Sequence, residues 1–268
     1  MRRKPAHLTS EHAARFQQQG VVDRYPLRAP YPAALFDVVA GLIHDEPRVV
    51  LDAGTGMGDL ARPLAARGDV ARVDAVDPSA AMLEKARRSP GGESPRLRWI
   101  SGTAEDAPLD PPYALITAGE SLHWMDWERA LPRFRAVSTP NSVVAIVHRV
   151  DDAPPWKDEL LPIIQRYSTM YQYEPFDLIA ELEARGLFAP LGRHETAPLP
   201  FTQPLDDYIA AFHSTSSLAH AALTPEAAAS FDADVRALLA PRFPDGLVRR
   251  DVAAGVVWGR AHEGAGDR

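Results

Sequence analysis

The chain has 268 residues, 36 acidic against 29 basic side chains and a formal net charge of −7 at pH 7. Such a length holds one α/β domain with insertions, and the acidic balance argues against a nucleic-acid partner, which would need a basic face. The absence of cysteine excludes disulfides, thiolate nucleophiles and zinc–thiolate sites.

No run of about 18 apolar residues is present, so no membrane-spanning helix is expected. No apolar stretch follows Met1-Arg2-Arg3-Lys4, so a signal peptide is not expected and the cytoplasm is the expected location. In chain order, residues 1–31 read as an N-terminal arm with a short helix near Ser10 to Gln18. Pro32 to Ile43 reads as a helix with proline near its start. Val49 to Leu51 then form an apolar strand end that runs into Asp52-Ala53-Gly54-Thr55-Gly56-Met57-Gly58. Ala61, Leu64 and Ala65 give the next helix an apolar side. Ala71 to Asp77, Leu97 to Ile100, Tyr113 to Ala118 and the fully apolar Ser142 to Val147 supply four more strands. A helix is expected at about 155 to 171, and another from Phe176 to Arg185, closed by Gly186. A sixth strand lies near Arg193 to Leu199. Two helices start near Leu205 and at Thr224-Pro225-Glu226, an N-cap followed by proline. Leu247 to Trp258 is the last strand. No internal repeat is present. Strands alternating with helices specify a parallel sheet covered on both faces.

The glycine-rich turn is the strongest local signal. Glycines let a ligand approach the backbone, and the helix behind them presents free N–H groups. The turn lies at the carboxyl end of a strand, where open α/β sheets bind ligands. Its glycines are tighter than the dinucleotide fingerprint G-x-G-x-x-G, and Asp59 stands where the third glycine of that fingerprint would be. A carboxylate such as Asp52 is repelled by a pyrophosphate but attracted by a sulfonium or ammonium group. A cationic adenosine cofactor therefore suits the turn better than NAD. Asp77 follows Gly58 by nineteen residues, close to the ~20-residue spacing at which an acid meets a ribose. Its two oxygens can accept both ribose O–H groups. Asp74 is the rival acid, and Asp77 can also serve as a helix cap with Pro78 at the first helical position.

These motifs resemble those of class I S-adenosylmethionine-dependent methyltransferases, most closely the bacterial small-molecule branch that includes trans-aconitate-type enzymes. The resemblance rests on Leu51 to Gly58, Val76-Asp77-Pro78-Ser79 with Met82-Leu83, Gly102 to Pro108 and Ser121-Leu122-His123-Trp124. Tyr25-Pro26-Leu27-Arg28-Ala29-Pro30-Tyr31-Pro32 matches at the N-terminal side. It implies an α/β fold with a Rossmann-like seven-stranded sheet in the order 3-2-1-4-5-7-6, the seventh strand antiparallel. On that plan 1–31 is an arm and lid, and 32–150 is the cofactor-binding core. Residues 151–175 and 202–246 are helical cap insertions, 176–201 a core helix and strand, and 247–268 the last core strand and tail. The resemblance further implies S-adenosylmethionine as cofactor and S-adenosylhomocysteine as product. Arg28 would pair with the methionyl carboxylate, and Asp52, Ala53, Gly54, Thr55, Gly56, Gly58 and Gly119 would cradle the methionyl part. Asp77 and Pro78 would meet the ribose, and Met82 the adenine face. The Ala104 backbone and the carboxylate of Glu105 or Asp106 would meet the adenine edge, with Thr103 also among the cofactor-binding residues. Many relatives carry an acid where this chain has Thr103, which leaves the partner of the adenine amine open.

Methyl transfer needs an aligned acceptor and, for some acceptors, a base. His123 is the candidate general base, because an imidazole titrates near neutrality. His213 is the second candidate. Each also reads as a packing residue. Tyr25, Tyr31, His123, Trp124, Tyr171 and His213 are the expected substrate-binding residues, and Trp156, Tyr167, Tyr171, Tyr173 and Phe212 would supply an aromatic pocket. No H-E-x-x-H or similar spacing occurs, so no metal is expected. The expected partner is a small-molecule methyl acceptor in bacterial specialised metabolism, with the protein a monomer or homodimer. The alternatives are a non-catalytic protein that binds the cofactor or its product, and an NAD-linked oxidoreductase.

Overall fold

The computed structural model describes residues 4–151, 154–170 and 174–264. In chain order its elements begin with helices α1 (Ser10–Ala14), α2 (Gln19–Arg24) and α3 (Ala33–Gly41). Then come β1 (Val49–Ala53), α4 (Ala61–Ala66), β2 (Arg72–Asp77), α5 (Ala80–Arg88), β3 (Leu97–Ser101) and β4 (Tyr113–Gly119). They continue with α6 (Trp127–Ala136), β5 (Ser138–Asp151), α7 (Lys157–Tyr167), α8 (Leu178–Ala184) and β6 (Phe188–Glu195). The last are β7 (Leu199–Pro204), α9 (Leu205–Phe212), α10 (Pro225–Leu239) and β8 (Leu247–Ala261). They form two compact units.

The larger unit comprises Tyr31–Val150, Pro175–Ala197 and Ala254–Arg268. Its strands run in the order β3-β2-β1-β4-β5-β8-β6, the arrangement the resemblance implied with β8 in the seventh place. The first five strands pair in parallel, and β6 is antiparallel to β8. Every residue of β1 is buried, as a strand covered on both faces must be. Leu35 and Val39 of α3 and Leu64 of α4 pack with Val50, Val73, Leu115 and Val256 of the sheet. Each aliphatic side chain so buried contributes about 1.5–3 kcal/mol.

The alternation of β2 sends its two acids to different surroundings. Asp74 and Asp77 are three residues apart, so they face opposite sides of the sheet. Asp74 is fully buried. It accepts the Tyr113 hydroxyl at 2.7 Å and pairs with Arg72 at 3.0 Å and Arg98 at 3.5 Å. Burial pushes the Tyr113 phenol above its ordinary range. Asp74 is thus committed to an ion network that closes the start of β2.

The sheet has one strand more than expected. The predicted strand near Arg193 to Leu199 resolves into β6, which begins at Phe188, and a separate β7 paired with the first part of β8. Between them Thr196 donates its N–H to the Ala254 carbonyl at 2.9 Å, and its hydroxyl accepts the Ala254 N–H at 3.0 Å. Pro198, Pro200 and Pro204 disguise β7 in the sequence. Proline removes a ladder donor, which only an edge strand tolerates.

The smaller unit comprises Met1–Pro30, Asp151–Glu174 and Pro198–Ala253. Trp156, Leu160, Tyr208, Ile209, Phe231, Val235, Leu239 and Val248 form its core. The indole N–H of Trp156 meets the Tyr208 hydroxyl at 3.3 Å. Phe212 lies edge-on to both Tyr208 and Phe231, and Tyr167 edge-on to Phe231. Trp156, Tyr167 and Phe212 therefore fill a core rather than line an open aromatic pocket. Aromatic surface gains most when other apolar groups cover it. Tyr171 and Tyr173 lie outside the described residues. The arm is held by polar bonds. Arg15 donates to the Thr169 hydroxyl and the Ser216 carbonyl, and the Ser216 hydroxyl donates to the His12 carbonyl.

Burial holds the His7 and His220 imidazoles below their ordinary range, with His12 acting in the same direction on the first and His213 and Arg24 on the second. Each binds its proton more weakly in the folded than in the unfolded chain. Stability should therefore be lost as pH falls below about 6.5. Urea midpoints should drop between pH about 7.5 and about 5.5, and the drop should shrink in His220→Gln. An unchanged drop in that variant would remove His220 from the account.

Candidate active site at the carboxyl ends of β1, β2 and β4

The turn after β1 is built on three left-handed glycines, Gly54, Gly56 and Gly58, with φ of 69°, 55° and 74°. An L side chain there would meet its own carbonyl, at roughly 1–2 kcal/mol per residue. A Cβ on Gly54 would lie 2.5 Å from that of Ser121, whose hydroxyl donates to the Ala53 carbonyl at 2.7 Å. A Cβ on Gly58 would lie 2.5 Å from the Trp99 ring. Gly58, expected in the cofactor cradle, thus seats the turn against β3.

Asp77 ends β2 beside this turn. One carboxylate oxygen accepts the Gly56 N–H at 2.8 Å and the other the Ser79 N–H at 2.8 Å. Each oxygen keeps a lone pair for a further donor, so the group is orientated but not saturated. Burial pushes the Asp77 carboxyl up, and the two backbone N–H groups pull it back. Pro78 does not begin α5. The cap is Ser79, whose side chain accepts the Met82 N–H at 3.3 Å, a contact worth about 1 kcal/mol. Met82 is 1% exposed and packs as core, which leaves no thioether surface for a ring.

Asp52 lies beneath the turn. It accepts the hydroxyls of Thr55 at 2.5 Å and Thr117 at 2.7 Å. Burial pushes its carboxyl up to about 6 despite those bonds.

The loop after β3 departs from expectation. The Glu105 carboxylate accepts the Asp126 N–H at the start of α6, at 2.8 Å. Asp106 pairs with Arg129 at 2.6 Å and receives the Thr103 hydroxyl at 3.4 Å. Both carboxylates are thus drawn towards α6. Ala104 is buried.

At the end of β4, Gly119 is followed by Glu120 at φ 53°, a conformation uncommon for a side chain of that size and a marker of local constraint. Glu120 accepts the Arg149 N–H. The Tyr31 hydroxyl lies 3.1 Å from where a Cβ on Gly119 would be. The Arg149 guanidinium stacks 4.2 Å from the Tyr31 ring centre and pairs with Asp59 at 3.0 Å. Asp59 also pairs with Arg62 at 3.1 Å. Glu120 and Arg149 carried no signal in the sequence, where Asp59 stood out only for occupying a fingerprint glycine's place.

His123 and Trp124 sit in the 3-10 turn Leu122–Trp124, half-buried, with ring centres 4.9 Å apart. The smaller unit holds the other expected groups. Arg28 donates to the Ser214 hydroxyl at 2.8 Å and the Ser214 carbonyl at 2.6 Å, and stacks 4.2 Å from the Tyr25 ring centre. His213 is 1% exposed, and its ring nitrogens are taken by the Leu218 carbonyl and Asp232, each at 2.7 Å. A general base needs a ring nitrogen directed at the acceptor, and this geometry offers none. Tyr171 lies outside the described residues.

The comparisons with known proteins concern the turn and the strands around it. A family model described as a methyltransferase domain matches residues 50–141. The chain carries a methyltransferase domain. An uncharacterised methyltransferase of Mycobacterium tuberculosis is 34% identical over 141 residues, 52% of this chain and 54% of the relative. A trans-aconitate 2-methyltransferase of Variovorax paradoxus is 38% identical over 99 residues, 36% of this chain and 37% of the relative. The chain thus spans about half the length, or less, of the curated relatives it matches. A solved type II methyltransferase structure from Anaeromyxobacter dehalogenans covers 88% of this chain and 99% of its own, with a TM-score of 0.61 and 24% identity. This likeness shows the Rossmann-like fold.

S-adenosylmethionine is the cofactor of such methyltransferase domains, and the donor set fits it. Asp77 offers two orientated acceptors to a diol, the turn offers bare backbone, and Asp52 offers negative charge to a sulfonium. A dinucleotide fits worse, because its pyrophosphate would meet negative charge at Asp52 where a sulfonium would be attracted.

The raised Asp52 carboxyl has a pH signature. Between its unfolded value of 3.8 and about 6 the folded chain holds a proton that the unfolded chain has lost, so its contribution makes stability fall as pH rises through that window. Asp52→Asn should remove this fall in urea titrations. An identical pH profile in the variant would refute the assignment.

Proposed function

We propose that this protein transfers the methyl group of S-adenosylmethionine to a nucleophile on a small molecule. The observation that carries this reading is Asp77, orientated by Gly56 and Ser79 beside a turn of three left-handed glycines. The bound cofactor supplies a methyl group already activated by positive sulfur. The chain's task is then alignment, exclusion of water and, where the acceptor needs it, proton removal. Asp77 would take the ribose hydroxyls. Ala53, Gly54, Thr55 and Gly56 would line the methionyl part with Gly119, and Tyr31 would place its hydroxyl near Gly119. His123, next along the chain from the β4 end, is the proposed base. Acceptor specificity is assigned to the smaller unit, which lies outside the residues matched by the methyltransferase family. Specialised metabolism is the proposed setting.

One fold hosts several chemistries. A solved structure named a 4+2 cyclase covers 96% of this chain at a TM-score of 0.55 and 15% identity. A protein that binds the cofactor without moving its methyl group is therefore the second reading.

Calorimetric titration with S-adenosylhomocysteine should give micromolar affinity and no binding of NAD. Asp77→Ala removes two charge-assisted contacts of roughly 1.5–3 kcal/mol each, so affinity should fall about a hundredfold or more, while Asp77→Asn should lie between. Unchanged affinity in Asp77→Ala would sink the ribose assignment. Transfer of a labelled methyl group to a member of a panel of small acids, phenols and amines would establish turnover. Tight cofactor binding with no transfer to any of them would favour the second reading.

Charge linkage gives a further check. A cation near Asp52 favours its ionised form. Preference for S-adenosylmethionine over the neutral S-adenosylhomocysteine should rise with pH through about 6, where that carboxyl titrates. Asp52→Asn should make the preference independent of pH. A pH-independent preference in the unsubstituted protein would place the sulfonium out of Asp52's reach.

A further inference from the structure

We propose that a cavity in the larger unit, where β5 begins and β8 ends, binds a small organic oxyanion, a phosphate ester or a carboxylate. The cavity has a volume of about 290 Å³, and its wall includes Arg135, Ser142, Val143, Arg260, Ala261 and Glu263. It lies at the end of the sheet opposite the glycine turn. Ser138 at the start of β5 pairs with Tyr113 at the start of β4, whereas Gly119 is at the far end of that strand. Occupation of the cavity is therefore independent of the methyl-transfer reading.

Ser142 is 6% exposed, and its hydroxyl has no hydrogen-bond partner among the described residues. Buried polar groups are ordinarily paired, so this hydroxyl is a donor held ready in the wall. Two guanidiniums share that wall. Arg260, half-buried, commits one nitrogen to the Pro140 carbonyl at 2.8 Å and meets no carboxylate among the described residues. The Arg135 Nε lies 3.7 Å from the Glu263 carboxylate, and the two side chains are 53% and 81% exposed. Such an exposed pair is weak, so Glu263 is a displaceable counter-charge. Two guanidinium forks match the oxygens of a phosphate or a carboxylate. The cavity also touches the end of α6, where free carbonyls would repel an anion. Those carbonyls are engaged: Arg133 and Arg135 accept the Val137 N–H, and Phe134 accepts the Ser138 hydroxyl at 2.7 Å. Asp45 is likewise taken up, by the N–H and side-chain amide of Asn141 at 2.7 and 2.9 Å. Buried Val143 and Ala261 add an apolar wall, which a bare inorganic ion would leave unused. An ester or acid with a compact apolar part uses both.

The test titrates the isotope-labelled protein with phenyl phosphate, benzoate and inorganic phosphate, and reads backbone amide shifts by nuclear magnetic resonance. Saturable shifts centred on Ser142, Arg260 and Ala261 are expected. Phenyl phosphate or benzoate should bind more tightly than inorganic phosphate, and the tighter of the two names the head group. Arg135→Gln and Arg260→Gln should each weaken binding about tenfold, and Ser142→Ala about threefold. Glu263→Gln removes the counter-charge and should tighten binding about threefold. Arg135 and Glu263 are exposed, so their variants decide the matter even if Arg260→Gln, which gives up its bond to Pro140, fails to fold. Shifts that never saturate, or that scatter over the surface, would overturn the proposal. Binding unchanged in Arg135→Gln, or weakened in Glu263→Gln, would overturn it as well.

Discussion

The fixed carboxylate of Asp77 is the constraint on which the site depends. A carboxylate at the end of a strand would ordinarily rotate into solvent. Here Gly56 and Ser79 hold one oxygen each, and both donors exist because of local backbone chemistry. Gly56, in the left-handed region, turns its N–H towards Asp77 at the end of β2. Ser79 presents its N–H as the cap of α5. The turn in turn needs its neighbours, since Gly54 admits Ser121 and Gly58 admits Trp99 at distances that no side chain would allow. Ligand geometry, helix capping and packing thus meet in about ten residues. A substitution in one would be felt by all.

Charge is distributed on the same principle. Two acids of β2 three residues apart do unrelated work, because strand alternation sends Asp74 into an ion network and Asp77 to the turn. Asp52 is kept beneath the turn by two hydroxyls, without a cation among the partners that define its environment. That leaves unspent negative potential where a positive sulfur is proposed to sit. Asp59 is by contrast shared between Arg62 and Arg149. One acid near the turn is thus buried among hydroxyls, and another is paired with two arginines.

The parallel core was legible in the sequence because hydrophobic runs, turn glycines and strand-end acids all pointed the same way. The spacing of Asp77 marked it as a strand-end acid, and strand parity sets it beside the glycine turn while Asp74 enters an ion network. What escaped was decided by partners distant in sequence. Nothing local distinguishes Glu105 at a ribonucleoside from Glu105 at the start of α6. Met82 and Gly58 read as ligand contacts because their motif is shared with proteins that bind nucleosides, whereas their burial and contacts are those of packing residues. His213 is consumed by Asp232 and Leu218, one of them nineteen residues away. β7 was hidden by prolines that only its edge position excuses.

The most direct test of the account is a crystal structure of the protein with S-adenosylhomocysteine. The account predicts both ribose hydroxyls on the two oxygens of Asp77, the homocysteine part along Gly54 to Gly56, and the purine edge against Ala104. A nucleoside bound with its ribose away from Asp77, or lodged elsewhere on the chain, would contradict it.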